Sequence, residues 1–223
     1  MKPVYIRDDA ESQRRHLSSV GESLRRRGWL LGTSGSVSVR SGEAVLITAG
    51  GLDNMVMTRQ DTVMVDPIEG LPLIGEVEWP PDETAVHLAL YRRVPDCQAV
   101  ICARVPCAEA GAPLTCGSGH SRRAITGEPQ TARTLGSPHA CVLAPPAVAD
   151  RLEASRIADE VVAALDAPAA TPAVLLVQGN ALVAWGRDAD EALGKLECTR
   201  QLSHLLRAEV GAGPPALARE NAR

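Results

Sequence analysis

The run Ala99-Val100-Ile101-Cys102-Ala103 constrains the fold more than any other stretch of this chain. It is apolar or small throughout and stops at Arg104-Val105-Pro106, so it reads as a buried strand whose end carries polar, reactive side chains. The chain has no Phe, two Tyr and three Trp, so the core has to be filled by Leu, Val, Ile and Ala. That choice suits a layered α/β fold. A chain of 223 residues, 45% of them hydrophobic, has enough apolar surface for one substantial core. A single domain over residues 1–210 is expected, with the Gly/Pro/Ala-rich residues 211–223 as a frayed tail.

The rest of the chain alternates between helical and strand patterning. Residues 9–28 have Leu17, Val20, Leu24 and Trp29 at helical spacing, closed by Gly28 in the manner of a C′ glycine. Strands are expected at Ser36–Arg40, Ala44–Thr48, Thr62–Val65, Cys141–Pro145, Ala173–Val177 and Ala181–Trp185, the last two paired as a hairpin. Helices are expected over Asp82–Arg93, with Asp82 as cap, over Val148–Leu165 and over Ala189–Ala208. A short helix is expected at Cys107–Ala112. Ile68–Pro81 reads as a loop with at most a short strand, and Pro113–Glu128 as an irregular polar segment.

Composition narrows the function classes. A net charge of −4 gives no general attraction to nucleic acid or to an anionic membrane. No apolar run reaches the length of a bilayer span, and the N-terminus has no signal-peptide core, so a cytoplasmic protein is expected. Its six Cys then read as free thiols, and the lack of any C-x-x-C pair argues against a zinc ribbon.

Three places carry chemistry. Gly32-Thr33-Ser34-Gly35 and Ala49-Gly50-Gly51-Leu52-Asp53 are glycine turns at the ends of neighbouring strands, able to offer N–H groups and hydroxyls to one anion or to serve simply as turns. Glu83 and His87 lie one helical turn apart. They are either an acid/base or ligand pair, or a first-turn Glu and a helix His bonded to nearby backbone. Cys102 and Arg104 end the central strand, Cys102 as a packed thiol or as a nucleophile beside a cation.

Gly32-Thr33-Ser34-Gly35, Ile47-Thr48-Ala49, Asp82-Glu83-Thr84 with His87-Leu88-Ala89-Leu90-Tyr91, and Ala184-Trp185-Gly186-Arg187 together resemble the class II aldolase/adducin-like family, with methylthioribulose-1-phosphate dehydratases the nearest flavour. The resemblance implies a three-layer α/β/α sandwich around a mixed, largely antiparallel sheet, and a homotetramer acting on a small-molecule substrate. It implies a zinc held by three His and a Glu that moves protons, the Glu corresponding to Glu83. The three His correspond to Cys102, Arg104 and Asn180, so no metal or other cofactor is expected. Ser36, Gly50 and Leu52 replace the usual Asn, Ser and Lys of the phosphate turns.

The expected site is therefore Glu83, Cys102 and Arg104 as catalytic groups. Gly32, Thr33, Ser34, Gly35, Thr48, Gly50, Gly51 and Asn180 would contact substrate. The expected reaction is a metal-independent elimination, dehydration or isomerisation of a sugar-phosphate- or carboxylate-like substrate. Two alternatives stand beside it: a catalytically inactive binding or scaffold protein, and a metal-dependent enzyme with ligands redrawn from Glu83, His87, Cys102, His120 and His139.

Overall fold

The structure is a computed structural model of the 223-residue chain. It describes residues 5–30, 35–51, 57–105, 123–124, 141–142, 147–148, 154–166, 174–177 and 181–211. In chain order the elements are α1 (Ala10–Arg26), β1 (Ser36–Ser41), β2 (Ala44–Thr48), β3 (Thr62–Val65), α2 (Thr84–Arg93), β4 (Ala99–Arg104), β5 (Arg123–Ala124), β6 (Cys141–Val142), β7 (Ala147–Val148), α3 (Ala154–Leu165), β8 (Val174–Val177), β9 (Ala181–Gly186) and α4 (Ala189–Gly211).

Seven strands form one sheet in the order β3-β2-β1-β4-β9-β8-β7. Every pairing in it is antiparallel except β7 with β8. β5 and β6 make a separate two-stranded ribbon. β4 lies at the centre, between β1 and β9, which explains why its sequence tolerates so little polarity before Arg104. Successive strand residues face opposite sides. Ala99, Ile101 and Ala103 accordingly pack with Leu17 and Leu24 of α1 and Leu196 of α4. Val100 and Cys102 pack with Val86 and Leu90 of α2 and Val161 of α3. The result is the α/β/α layering expected, with an aliphatic core on each face of the sheet.

Two helix ends set the site. Gly28, at φ +70°, closes α1 in a Schellman arrangement: its N–H donates to the Arg25 carbonyl and the Trp29 N–H to that of Leu24. This turn carries Trp29 and Leu30 into the core, where the Trp29 carbonyl accepts the Arg104 N–H at 2.8 Å. α2 starts at Thr84, two residues later than the expected Asp82. The Pro81 carbonyl accepts both the Thr84 N–H and its hydroxyl, so Asp82 is left exposed and does not cap the helix. Glu83 takes the N-cap position without a side-chain cap, and its carboxylate is free to bond elsewhere.

Three other boundaries differ from expectation. Ala147–Val148 pairs with β8 instead of opening α3, which runs from Ala154. α4 continues to Gly211 rather than ending at Ala208. Arg123–Ala124, inside the segment expected to be irregular, pairs with Cys141–Val142. The expected helix at Cys107–Ala112 lies outside the described residues.

Candidate active site

The expected groups meet at one end of the sheet, on the α2 side. Ser36 at the start of β1 is the cross-strand partner of Cys102, which places their side chains as same-face neighbours. Glu83 reaches this point from α2 and accepts the Gly35 N–H at 3.2 Å through Oε1. Arg104 follows Cys102 by two residues, on the same face of β4. Its side chain is exposed and forms no ion pair among the described residues.

Electrostatics give each group a different character. Burial pushes the Cys102 thiol well up, the nearby Glu83 charge pushes it further, and Arg104 opposes both too weakly to prevail. Cys102 is therefore a neutral, packed thiol, the first of its two expected forms. An activated thiolate would need the cation to outweigh burial.

The glycine turns are held by close packing. Gly35 sits at φ +95°, where a Cβ would come within 2.5 Å of Leu30 Cδ2 and 2.9 Å of the Cys102 carbonyl oxygen. Gly50 lies against Pro80 and Pro81, with its N–H bonded to the Trp79 carbonyl at 2.8 Å. A Cβ there would approach the Pro81 Cα to 3.0 Å. Gly51, at φ +69°, has nothing within 4 Å of its Cβ position. The Thr48 hydroxyl accepts the Val37 N–H at 3.1 Å, closing the β1–β2 end. Gly32, Thr33, Ser34 and Asn180 lie outside the described residues, as do His120 and His139.

His87 shows a partnership that pattern reading missed. It is fully buried, with Nε2 2.8 Å from the Ser36 hydroxyl and Nδ1 2.7 Å from that of Ser38. Ser38 also meets the Tyr91 hydroxyl at 2.8 Å. Arg40 stacks over the Tyr91 ring at 4.7 Å and bonds the Tyr91 and Cys97 carbonyls. Burial lowers the His87 pKa to about 3, so the imidazole is neutral at physiological pH. A signal was present: Ser36 and Ser38 share one strand face, and His87 and Tyr91 share one helix face.

These donors fit a divalent cation poorly. Both His87 nitrogens are engaged by serine hydroxyls, Cys102 is a single buried thiol where a site needs three or more ligands, and Arg104 is a permanent cation that repels metal. Among the described residues no group of three or more His, Cys, Asp or Glu stands together. Two open surface cavities, of about 630 and 440 Å³, lie elsewhere, the first around Arg7 and Arg40 and the second around Arg14 and Glu76. Side-chain convergence, not cavity size, is what marks the Glu83 end of the sheet.

With the fold and this geometry in view, the comparisons with known proteins are decisive about family. A family model described as Class II Aldolase and Adducin N-terminal domain matches residues 15–206. The chain belongs to that family. It is 32% identical over 183 residues to a methylthioribulose-1-phosphate dehydratase of Xanthomonas campestris pv. campestris, covering 81% of this chain and 82% of that protein. It is 27% identical over 190 residues to a Nocardia farcinica protein named "Probable bifunctional methylthioribose-1-phosphate isomerase/methylthioribulose-1-phosphate dehydratase". That match covers 85% of this chain but spans only 34% of the larger protein. Among solved structures, L-fuculose-1-phosphate aldolase from Thermus thermophilus superposes with a TM-score of 0.66 at 25% identity, over 91% of this chain and 98% of that one. A sugar-phosphate aldolase from Thermotoga maritima gives 0.72 at 14% identity, over 92% and 97%, a likeness of fold.

Proposed function

We propose that this chain is a lyase-like enzyme that moves a proton on a small oxygenated substrate, a sugar phosphate or a related carboxylate, without a bound metal. The observation that carries the reading is the placement of Arg104. Its exposed guanidinium has no ion-pair partner among the described residues and stands on the same sheet face as Cys102, toward which Glu83 also points.

In this reading Glu83 is the general base. It takes the proton from the carbon next to the substrate carbonyl, and the bonding pair moves to leave negative charge on the carbonyl oxygen. Arg104 faces that charge, or the substrate's own anionic group, as a fixed cation. In a dehydration the pair returns and expels the β-hydroxyl, which receives the proton from Glu83 and leaves as water. In an isomerisation Glu83 returns the proton to the former carbonyl carbon, while the hydroxyl proton of the adjacent carbon passes to the former carbonyl oxygen, so that the carbonyl moves one carbon along. Cys102 serves as a neutral wall of the site, Gly35 and Gly50, whose N–H groups are taken by Glu83 and the Trp79 carbonyl, shape the two turns, and Gly51 presents backbone to the substrate, with Gly32, Thr33, Ser34 and Asn180 completing the contact surface. The names of the dehydratase relatives favour methylthioribulose 1-phosphate as the first substrate to try.

The same reading makes the chain one domain over residues 1–210, cytoplasmic and self-associated, with a tetramer the expected size. Elemental analysis of protein purified without chelator tests the metal claim. Well below one zinc, iron or manganese per chain is expected, and one tightly held metal per chain would revive the ligand set redrawn around Cys102 and His120.

A further inference from the structure

The backbone of the two glycine turns is largely committed within the protein. The Gly35 N–H donates to Glu83 Oε1 at 3.2 Å, the Gly50 N–H to the Trp79 carbonyl at 2.8 Å and the Ala49 N–H to the Asp61 carbonyl at 2.9 Å. A backbone nest binds an anion through open N–H groups, and these three are occupied. Nor do the turns bring a cation, since residues 28–39 and 41–58 contain no Lys or Arg. Arg40, which separates those stretches, lies toward the other end of β1 and bonds the Tyr91 and Cys97 carbonyls.

Arg104 is the opposite case. Its side chain is exposed and forms no ion pair among the described residues. Its cross-strand partner on β9 is Ala181, whose methyl group is too short to cover a guanidinium. Glu83 commits Oε1 to the Gly35 N–H and not to Arg104. Burial raises the Cys102 pKa most, Glu83 raises it further and Arg104 lowers it, so both charges act on the same thiol from within the same end of the sheet.

In the proton transfer proposed above this one cation has two tasks. It anchors the substrate's anionic group, and it faces the negative charge that grows on the carbonyl oxygen. A single guanidinium does both only where the two groups are neighbours, because its parallel N–H bonds meet adjacent oxygens. In a ketose 1-phosphate the phosphorus stands three bonds from the carbonyl carbon. In a 2-oxo acid a carboxylate oxygen and the carbonyl oxygen lie side by side. We therefore infer that the substrate is a 2-oxo acid, its carboxylate and carbonyl oxygens held by Arg104 while Glu83 takes a proton from C3. The C3–H pair becomes the C2–C3 double bond, and the carbonyl pair moves onto oxygen. Where C4 carries a hydroxyl, the pair returns, the C3–C4 double bond forms and the hydroxyl leaves as water with the proton from Glu83. Where it does not, the proton goes back to C3. A phosphate further along the substrate is neither required nor forbidden by this docking.

The inference rests on Glu83 acting as the base, and hydrogen exchange in D2O separates the two claims. The full chain is incubated with chelator and either 2-oxobutanoate or dihydroxyacetone phosphate. Loss of the C–H signals beside the carbonyl is followed by proton NMR, with the C4 methyl of 2-oxobutanoate as internal reference. Wild type is expected to exchange the C3 protons of 2-oxobutanoate well above the buffer rate, and dihydroxyacetone phosphate at least ~100-fold less efficiently. Arg104→Gln should lower kcat/KM for the exchange by at least ~100-fold and Glu83→Gln should abolish it, both with unchanged far-UV circular dichroism. Equal or faster exchange of dihydroxyacetone phosphate, or exchange of 2-oxobutanoate undiminished in Arg104→Gln, would overturn the 2-oxo acid and leave Glu83 as the base. Exchange of neither probe, or exchange unaffected by Glu83→Gln, would overturn both.

Discussion

His87 gives the sharpest quantitative handle on this fold, because its burial makes stability depend on pH in a defined window. The folded-state pKa is lowered to about 3 by burial, while an exposed histidine in the unfolded chain titrates near 6.5. Above pH 6.5 both states hold neutral imidazole and His87 contributes no slope. Below it the unfolded chain binds a proton that the folded chain refuses, so stability falls by about 1.4 kcal/mol per pH unit until about pH 3. Between pH 7.5 and pH 5.0 the loss amounts to about 2 kcal/mol, and by pH 3 to about 4 kcal/mol. The perturbation is His87→Gln, whose amide can still meet Ser36 and Ser38 but does not titrate. At pH 7.5 the variant is expected to be less stable by about 1–3 kcal/mol, from imperfectly replaced buried hydrogen bonds. Its stability should then fall by about 2 kcal/mol less than wild type on going to pH 5.0. Glu191 does not interfere: partial burial raises its pKa, but bonds from Arg187 and Lys195 outweigh this and hold it at about 2, so it contributes below pH 4.5. The assay is urea unfolding followed by circular dichroism at both pH values, at one protein concentration so that association stays fixed. Equal pH slopes in wild type and His87→Gln would refute the reasoning.

Other outcomes follow from the same geometry. Gly35→Ala should cost several kcal/mol in urea unfolding, because its Cβ would strike Leu30 and the Cys102 carbonyl at positive φ, whereas Gly51→Ala should cost only about 1–2 kcal/mol. Equal costs would mean the close approach at Gly35 is unimportant. Arg104→Gln should leave stability within about 0.5 kcal/mol of wild type, since the side chain is exposed, yet lower kcat/KM by about 10²-fold or more once a substrate is in hand. Cys102 should resist iodoacetamide in the folded protein at pH 7.5 and react fully in urea, as peptide mapping would show; rapid native labelling would mean an activated thiolate after all.

Much of the fold is legible in the sequence because its signals are local. The alternation of β1, the apolar run of β2, the unbroken apolar run of β4 and the glycine that closes α1 each act within a few residues, and each appears where its pattern puts it. The start of α2 was displaced because Thr84 bonds back to Pro81, a preference that a run of Pro-Pro-Asp does not advertise. The site is legible only in part. Glu83, Cys102 and Gly35 do converge, but the reason is an antiparallel pairing of β1 with β4 and a helix N-terminus laid across it. The Ser36–His87–Ser38–Tyr91 chain was only half legible for the same reason. Its serines stand some 50 residues from its His and Tyr, and neither a period of two nor a spacing of four reveals which strand face meets which helix face. The role of Gly50 was also hidden, since only the fold shows that Pro80 and Pro81 press against it.

Proton transfer by Glu83 beside Arg104 without a metal is the step on which the proposed activity turns. The most direct measurement is turnover of methylthioribulose 1-phosphate, and of a panel of related sugar phosphates, by chelator-treated wild type and its Glu83→Gln variant. The expected result is a substrate whose turnover survives chelation in wild type and disappears in Glu83→Gln while the fold is retained. Turnover abolished by chelation and restored by zinc, or undiminished in Glu83→Gln, would contradict it.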